Sequence, residues 1–312
     1  MTELDDRVRT EPTAVRPTTA APHRARPLLD IDGAAFASAF ARRPCPVRHQ
    51  LVDHPLLTLE GIAELADALP ETAVERHRAK LPLVMPGGAP SLGGRPSDTV
   101  RSIETNDCWM VLWNVEQDPQ WHRLLDDCLD EVAAHVGNRD GGMMQREGFL
   151  FLSAPGAVTP AHFDPEHNLL LQIRGTKEMN VGRFPDPADQ RRELDRYHDG
   201  GHRNLSAVPA DAEMFVLSPG RGVYVDPFAP HWVQNRDAVS ISLSITFRTR
   251  RSEAAERAHG LNARLRRLGL HPRPAGEDPR IDRAKAALVH GVHRAGRAGA
   301  TLRERIGDRT RG

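Results

Sequence analysis

The stretch Val158–Lys177, VTPAHFDPEHNLLLQIRGTK, decides how the rest of the chain is read. His162 and Asp164 flank Phe163, so on an extended strand their side chains emerge on the same face. A third imidazole, His231 in FAPHWVQN, lies far downstream beyond a turn-rich stretch. Two histidines and one carboxylate on one face of a metal leave the opposite positions open, the facial triad of non-haem Fe(II) oxygenases. With 15 His in the chain, a His-x-Asp triplet arises about once by chance. The pair therefore takes its meaning from its company: Thr159, Asn168, Lys177 and His231. Lys177 is the informative one, because the chain has 42 basic residues and all except Lys80, Lys177 and Lys285 are Arg. A compact ammonium on a flexible stem suits a confined pocket that holds a carboxylate, where a planar guanidinium would not fit.

With these residues in place, the sequence resembles the Jumonji-type cupins, the Fe(II)- and 2-oxoglutarate-dependent oxygenases. Within them its pattern is similar to the asparaginyl hydroxylase of hypoxia-inducible factor and to uncharacterised bacterial cupin-like proteins. The resemblance runs over roughly residues 100–250 and includes WNVEQDP at Trp113–Pro119, HNLLLQIRG at His167–Gly175 and APHWVQN at Ala229–Asn235. It implies that His162, Asp164 and His231 hold Fe(II) and that Thr159 and Lys177 bind the distal carboxylate of 2-oxoglutarate; Asn168 suits either a hydrogen bond near the keto-acid or another ligand, or a purely structural role. It further implies that O2 is consumed, with 2-oxoglutarate decarboxylated to succinate as an unactivated C–H bond of a peptide, amino acid or related metabolite is hydroxylated. Protein side-chain hydroxylation or demethylation is the near alternative. A metal-binding cupin that is not an oxygenase has no need of Thr159 and Lys177 at these spacings. A nucleic-acid-binding module predicts salt-dependent association instead.

A chain of 312 residues is long enough for one large domain with appendages. Its formal net charge of zero sets up no whole-chain field towards nucleic acid or membrane. The basic residues concentrate at the end: from Arg248 onward, 17 Arg and Lys stand against 7 Asp and Glu. No apolar run approaches a membrane span, and the acidic start MTELDD lacks the apolar segment of a secretory signal, which points to a cytoplasmic protein. Cys45, Cys108 and Cys128 show neither paired nor zinc spacing and read as free thiols.

Residues 1–27, rich in Thr, Pro, Ala and Arg, read as a disordered tail. Residues 28–250 read as the oxygenase domain, mainly β, with a double-stranded β-helix (jelly-roll) core and flanking N-terminal helices. Helical spacing appears at Phe36–Phe40 and from Thr58, an N-cap, through Ile62, Leu65, Ala66 and Leu69. Pro82–Pro96 is a Gly/Pro-rich loop, Ser102–Val115 reads as strand, and Asp118-Pro119 opens a helix. Short strands follow at Gly148–Ser153, Leu169–Ile173, Glu178–Phe184, Met214–Leu217, Gly222–Val225 and Ser240–Arg248. In Ser240–Thr246 the hydroxyl residues share one face, which suits either a pocket wall or a solvated side. Trp232 suits a pocket wall or the core. Asp186–Pro209 is a charged insertion that would shape a substrate mouth, with Arg146 and Glu147 as further candidates for selecting the substrate. Residues 251–312 form a basic helical extension with a stripe at Ala254, Ala258, Leu261, Leu265 and Leu268 and a second helix from Asp282. Packing or homodimerisation through these helices is favoured over nucleic-acid binding.

Overall fold

Alternating strands and amphipathic helices build the front of the chain, and eight successive strands build the rest. In the computed structural model, residues 27–78, 93–106, 108–138, 140–209 and 211–291 are described. All of the sequence-predicted tail (1–27) except Pro27, most of the Pro82–Pro96 loop and Val292 onward lie outside them. The leading elements are β1 (Leu29–Asp30), α1 (Gly33–Ala39), β2 (Cys45–His49), α2 (Leu59–Ala68), β3 (Val74–Arg78), α3 (Pro96–Arg101), β4 (Cys108–Trp113) and α4 (Pro119–Val136). Thr58 caps α2 through the Gly61 N–H, and Asp118 caps α4 through the Gln120 and Trp121 N–H groups, satisfying donors that a helix start leaves free. Ser102–Asn106 differs from the strand expected there. The Ser102 N–H and hydroxyl both donate to the Asp98 carbonyl, and Asn106 Nδ2 donates to that of Thr99. These bonds close α3 in a turn, so β4 starts only at Cys108.

The remaining strands are β5 (Met143–Ser153), β6 (Val158–His162), β7 (His167–Arg174), β8 (Lys177–Gly182), β9 (Ala212–Leu217), β10 (Arg221–Val225), β11 (His231–Asn235) and β12 (Ser240–Thr249). They switch between two antiparallel sheets at every step except β8 to β9, which are neighbours in one sheet. The larger contains the order β10-β7-β12-β5, and the smaller is β6-β11-β8-β9. Eight strands divided in this way form a jelly roll, the fold expected from the sequence. The larger sheet is widened by β2 and β1 beyond β10, and by β4 and β3 beyond β5.

Strand periodicity explains which face does what. Leu169, Leu171 and Ile173 of β7, with Ile241, Leu243 and Ile245 of β12, join Ile62, Leu65, Trp121, Leu125 and Leu129 in the main core. The N-terminal helices therefore cover the outer face of the larger sheet. Between the sheets, a second cluster of Leu170, Met179, Val181, Phe215, Leu217, Val223 and Val225 fills the space beside β8, β9 and β10. The inner face of β12 is different: Ser240, Ser242, Ser244 and Thr246 are buried, so the hydroxyl side of the strand faces the interior. Ser242 Oγ donates to Gln172 Oε1 at 2.6 Å and Ser244 Oγ to Asn168 Oδ1 at 2.8 Å, which satisfies polar groups that burial would otherwise penalise. Small side chains there leave room, and the room is the cavity described below.

In the Asp186–Pro209 insertion, α5 (Pro187–His198) ends where Gly200 and Gly201 follow. It packs against α6 (Arg250–Arg267) through ion pairs of Arg266 with Asp195 and Arg267 with Asp199. The apolar stripe expected on α6 is only partly used. Ala254, Ala258 and Ala263 are buried, whereas Leu268 is 76% exposed, because α6 meets α5 with its arginines. A further helical run covers 279–291. Among the described residues, no helix is long and apolar enough to cross a membrane.

Candidate active site

β6 and β11 are hydrogen-bonded neighbours, and their register places His231 directly opposite His162. The two imidazole centroids lie 4.2 Å apart. β6 stops at His162, so Asp164 sits just beyond the strand rather than on it. It is fixed from outside the sheet. Phe163 is fully buried with Leu194 and Phe228, and the Phe228 N–H donates to the Asp164 carbonyl at 2.7 Å. Phe228 holds this position at φ +64°, an uncommon conformation for a bulky residue, immediately before the strand that carries His231.

His162, Asp164 and His231 offer ligand atoms that all lie within 4.8 Å of one another. Asp164 Oδ2 is 3.5 Å from His231 Nε2 and 3.8 Å from His162 Nε2. The other ring nitrogens are already committed. His162 Nδ1–H donates to the Pro160 carbonyl and His231 Nδ1–H to that of Ala229, each at 2.9 Å. A carbonyl only accepts, so both rings carry a proton on Nδ1 and turn Nε2 inward, the orientation of metal-ligating histidines. Burial pushes the His162 pKa down to about 4, helped by the His231 charge. Burial alone would raise the Asp164 carboxyl, but its bond to His231 and the positive groups around it hold it well below the usual range. A neutral His162 and an ionised Asp164 are the states that suit a divalent metal.

The three residues open into a cavity of about 460 Å³ between the sheets, which Thr159, Asn168 and Lys177 also line. All six site residues singled out from the sequence thus meet in one space. Lys177, at the start of β8, pairs with Asn235 in the register and is only 4% exposed. Its ammonium has no hydrogen bond or ion pair among the described residues, and burial lowers its pKa to about 7. Asn168 is occupied by the Ser244 hydroxyl.

With this geometry in view, the comparisons place the chain. Residues 116–255 match the family model described as JmjC domain. That span of the chain is similar to a JmjC domain. Its strands β5 to β12 and the whole triad fall within that span. The Drosophila melanogaster protein "Jumonji C domain-containing protein 5" is 30% identical over 105 residues, which are 30% of this chain and 26% of that protein. The chain thus matches about a quarter of the length of that relative. Among solved structures, the Escherichia coli ribosomal oxygenase YcfD aligns at 17% identity and a TM-score of 0.47, over 83% of this chain and 66% of that one. A structure of YcfD with cobalt and 2-oxoglutarate aligns at 16% identity and a TM-score of 0.46, over 85% of this chain and 67% of that one.

Other residues near the triad divide between the cavity and its surroundings. Trp232 projects from β11 half-buried, and it does not line the cavity. Arg146 binds Asp126 and Asp130 on α4, each at 2.7 Å; its neighbour Glu147 faces the cavity instead, as the alternation of a strand requires. His198 stays separate from the triad, its Nε2 buried without a hydrogen-bond partner among the described residues. Arg203, from the stretch after α5, pairs with Asp164, and Glu75, Trp109, Trp113, Phe149 and Phe151 complete one wall. Nothing in local spacing marks Arg203 or Glu75, since both reach the cavity only through tertiary packing. The alternation of Trp109, Val111 and Trp113 did carry a signal of a two-faced strand.

Proposed function

We propose that this protein is an Fe(II)- and 2-oxoglutarate-dependent oxygenase that hydroxylates a C–H bond of a peptide, amino acid or related metabolite. A protein side chain, or demethylation by the same chemistry, is the near variant. The observation that carries this reading is Lys177, a buried ammonium without a counter-ion among the described residues, which shares one cavity with two inward-turned imidazoles and a carboxylate. An unpaired buried cation is costly, and a carboxylate ligand would relieve that cost with a charge-assisted bond.

In this assignment His162 Nε2, His231 Nε2 and an Asp164 oxygen hold iron, a donor set that suits Fe(II) and leaves coordination sites open. Lys177 and the Thr159 hydroxyl take the distal carboxylate of 2-oxoglutarate, while Asn168, braced by Ser244, faces the keto-acid. The bound iron, with O2 and 2-oxoglutarate, supplies the oxidising power; the chain binds, orients and shields. Phe163 and Phe228 hold the Asp164 backbone, and the Nδ1 bonds of both histidines fix their tautomers. Arg203 would share Asp164 with the metal. Its positive charge keeps that carboxylate ionised, and its pairing leaves a competitor that iron binding must displace or accommodate.

The test is an anaerobic titration of metal-free protein with Fe(II) and then 2-oxoglutarate, following the visible metal-to-ligand charge-transfer band. A band in wild type that needs far more 2-oxoglutarate in Lys177→Ala supports the assignment. Iron binding without the band points to another class of metal cupin. A homodimer through the C-terminal helices belongs to the same proposal, supported by the exposed Leu268, Leu270 and Leu288; sedimentation at several concentrations checks it.

A further inference from the structure

The segment after α5 returns along the free edge of β6, the outer strand of the smaller sheet. Asn204 forms an antiparallel bridge with His162, and the Leu205 N–H donates to the Ala161 carbonyl at 2.7 Å. The segment thus takes up backbone groups that an edge strand leaves free. α5 holds it from the other side. Glu193 accepts from the Ser206 hydroxyl at 2.5 Å and from its N–H at 3.3 Å, while Arg196 donates to the Asn204 carbonyl. Leu194 of the same helix is buried in one cluster with Phe163. Backbone pairing and helix side chains together set the position of Arg203, next to the residue that pairs with His162.

That position divides the Asp164 carboxylate between two kinds of neighbour. Arg203 Nη1 donates to Oδ1 at 2.5 Å, whereas Oδ2 is the oxygen 3.5 Å from His231 Nε2 and 3.8 Å from His162 Nε2. The Asp164 side chain is 17% exposed, which leaves water little access to compete for either oxygen. A carboxylate can bind a metal through one oxygen or through both. Binding through both would fill a position that the facial triad leaves open. With a guanidinium on Oδ1, that second bond means giving up a charge-assisted hydrogen bond. The positive charge of Arg203 also repels a divalent cation, so this residue is a poor device for metal affinity alone; its geometry serves the open positions instead. Resting on the oxygenase reading, we propose that Arg203 is a positioning residue of the metal centre, which confines Asp164 to one metal bond through Oδ2 and so keeps a place free for the keto-acid.

The test compares wild type with Arg203→Met, which removes the charge and the donors but keeps bulk, and with Arg203→Lys, which keeps the charge and a donor. Co(II) serves as the metal probe, titrated by its visible absorption without keto-acid. 2-Oxoglutarate is then titrated into the Co(II)-loaded protein and, anaerobically, into the Fe(II)-loaded protein. Arg203→Met should bind Co(II) as tightly as wild type or more tightly, because a repelling charge is gone, yet bind 2-oxoglutarate about tenfold or more weakly. Arg203→Lys should recover most of that loss. Crystal structures of the Co(II) forms count the Asp164 oxygens bonded to the metal: one in wild type, both in Arg203→Met. A merely structural role would instead lower metal affinity, keto-acid affinity and the unfolding midpoint together, and that result overturns the proposal. So does two-oxygen ligation in wild type, one-oxygen ligation in Arg203→Met, or unchanged 2-oxoglutarate affinity in that variant. Where Arg203→Met fails to fold, Arg203→Ala is held to the same outcomes. The expected change in ligation with no keto-acid binding by wild type would sink the oxygenase reading and leave the positioning role standing. A charge-transfer band that is equally strong in wild type and Arg203→Met at every 2-oxoglutarate concentration would do the reverse, and failure of wild type to bind Co(II) overturns both.

Discussion

Asp164 concentrates the electrostatics of the site, because His162, His231 and Arg203 all converge on its carboxylate. Asp164→Ala is expected to lose essentially all iron, measured as metal content after anaerobic loading, while the unfolding midpoint shows a folded chain. Retained stoichiometric iron would rule out the triad. Lys177 gives the pH dependence. Its pKa, lowered from 10.5 to about 7, means that the folded, ligand-free chain gives up this proton well before the unfolded chain does. Between those values the unfolded state binds more protons, so this group's contribution to stability rises with pH across that window. Ligand binding runs the other way. A carboxylate prefers the ammonium, so 2-oxoglutarate affinity should be level below about pH 7 and fall by roughly tenfold per unit above it. Titrations of the charge-transfer band from pH 6 to 9 check this, and Lys177→Ala should flatten the profile. These residues were legible in the sequence because side-chain chemistry and spacing survive without a fold: His162 and Asp164 two apart, and one lysine among many arginines. Arg203 and Glu75 were not, because their proximity to the cavity is a product of how distant segments pack.

At the scale of elements, the β7–β8 turn delivers Lys177 to the cavity, and Gly175 makes it possible. Gly175 has φ +71°, and a Cβ there would lie 2.2 Å from the Val239 carbonyl oxygen. Gly175→Ala should therefore destabilise the protein by roughly 2 kcal/mol or more, seen in denaturant unfolding, and weaken 2-oxoglutarate binding more than iron binding. The strands themselves could be located from their alternation and their Gly and Pro punctuation. Their ends could not, since pairing sets them. β5 extends back to Met143 because β12 continues alongside it to Thr249. Likewise α6 was visible as a helix, and the Ala254 and Ala258 part of its stripe is buried while Leu268, just past its end, is exposed. The leucine stripe competes with a row of arginines, and the acids of α5 decide which face is buried.

For the molecule as a whole, Arg248 ties the cavity to the C-terminal helices. It lies at the end of β12 and pairs with both Glu166 on the cavity rim and Glu256 on α6. Its side chain is 15% exposed, so Arg248→Ala would strand two half-buried carboxylates and cost about 3 kcal/mol, read as a lowered unfolding midpoint. The short strands were legible as an all-β jelly roll or barrel and the family resemblance selected the jelly roll, whereas the widening of the larger sheet by β3 and β4 is a long-range pairing with no local signature. That widening supplies the aromatic wall. β12 has a further consequence. Its backbone is paired on both sides along most of its length, its outward Ile241, Leu243 and Ile245 anchor the helices, and its inward residues are all small. Fold and pocket shape are thus written on alternate letters of one strand. Exchanging Ser244 for a larger residue would re-cut the chamber while leaving the anchoring letters untouched, so descendants of this sequence can change diet without rebuilding the house.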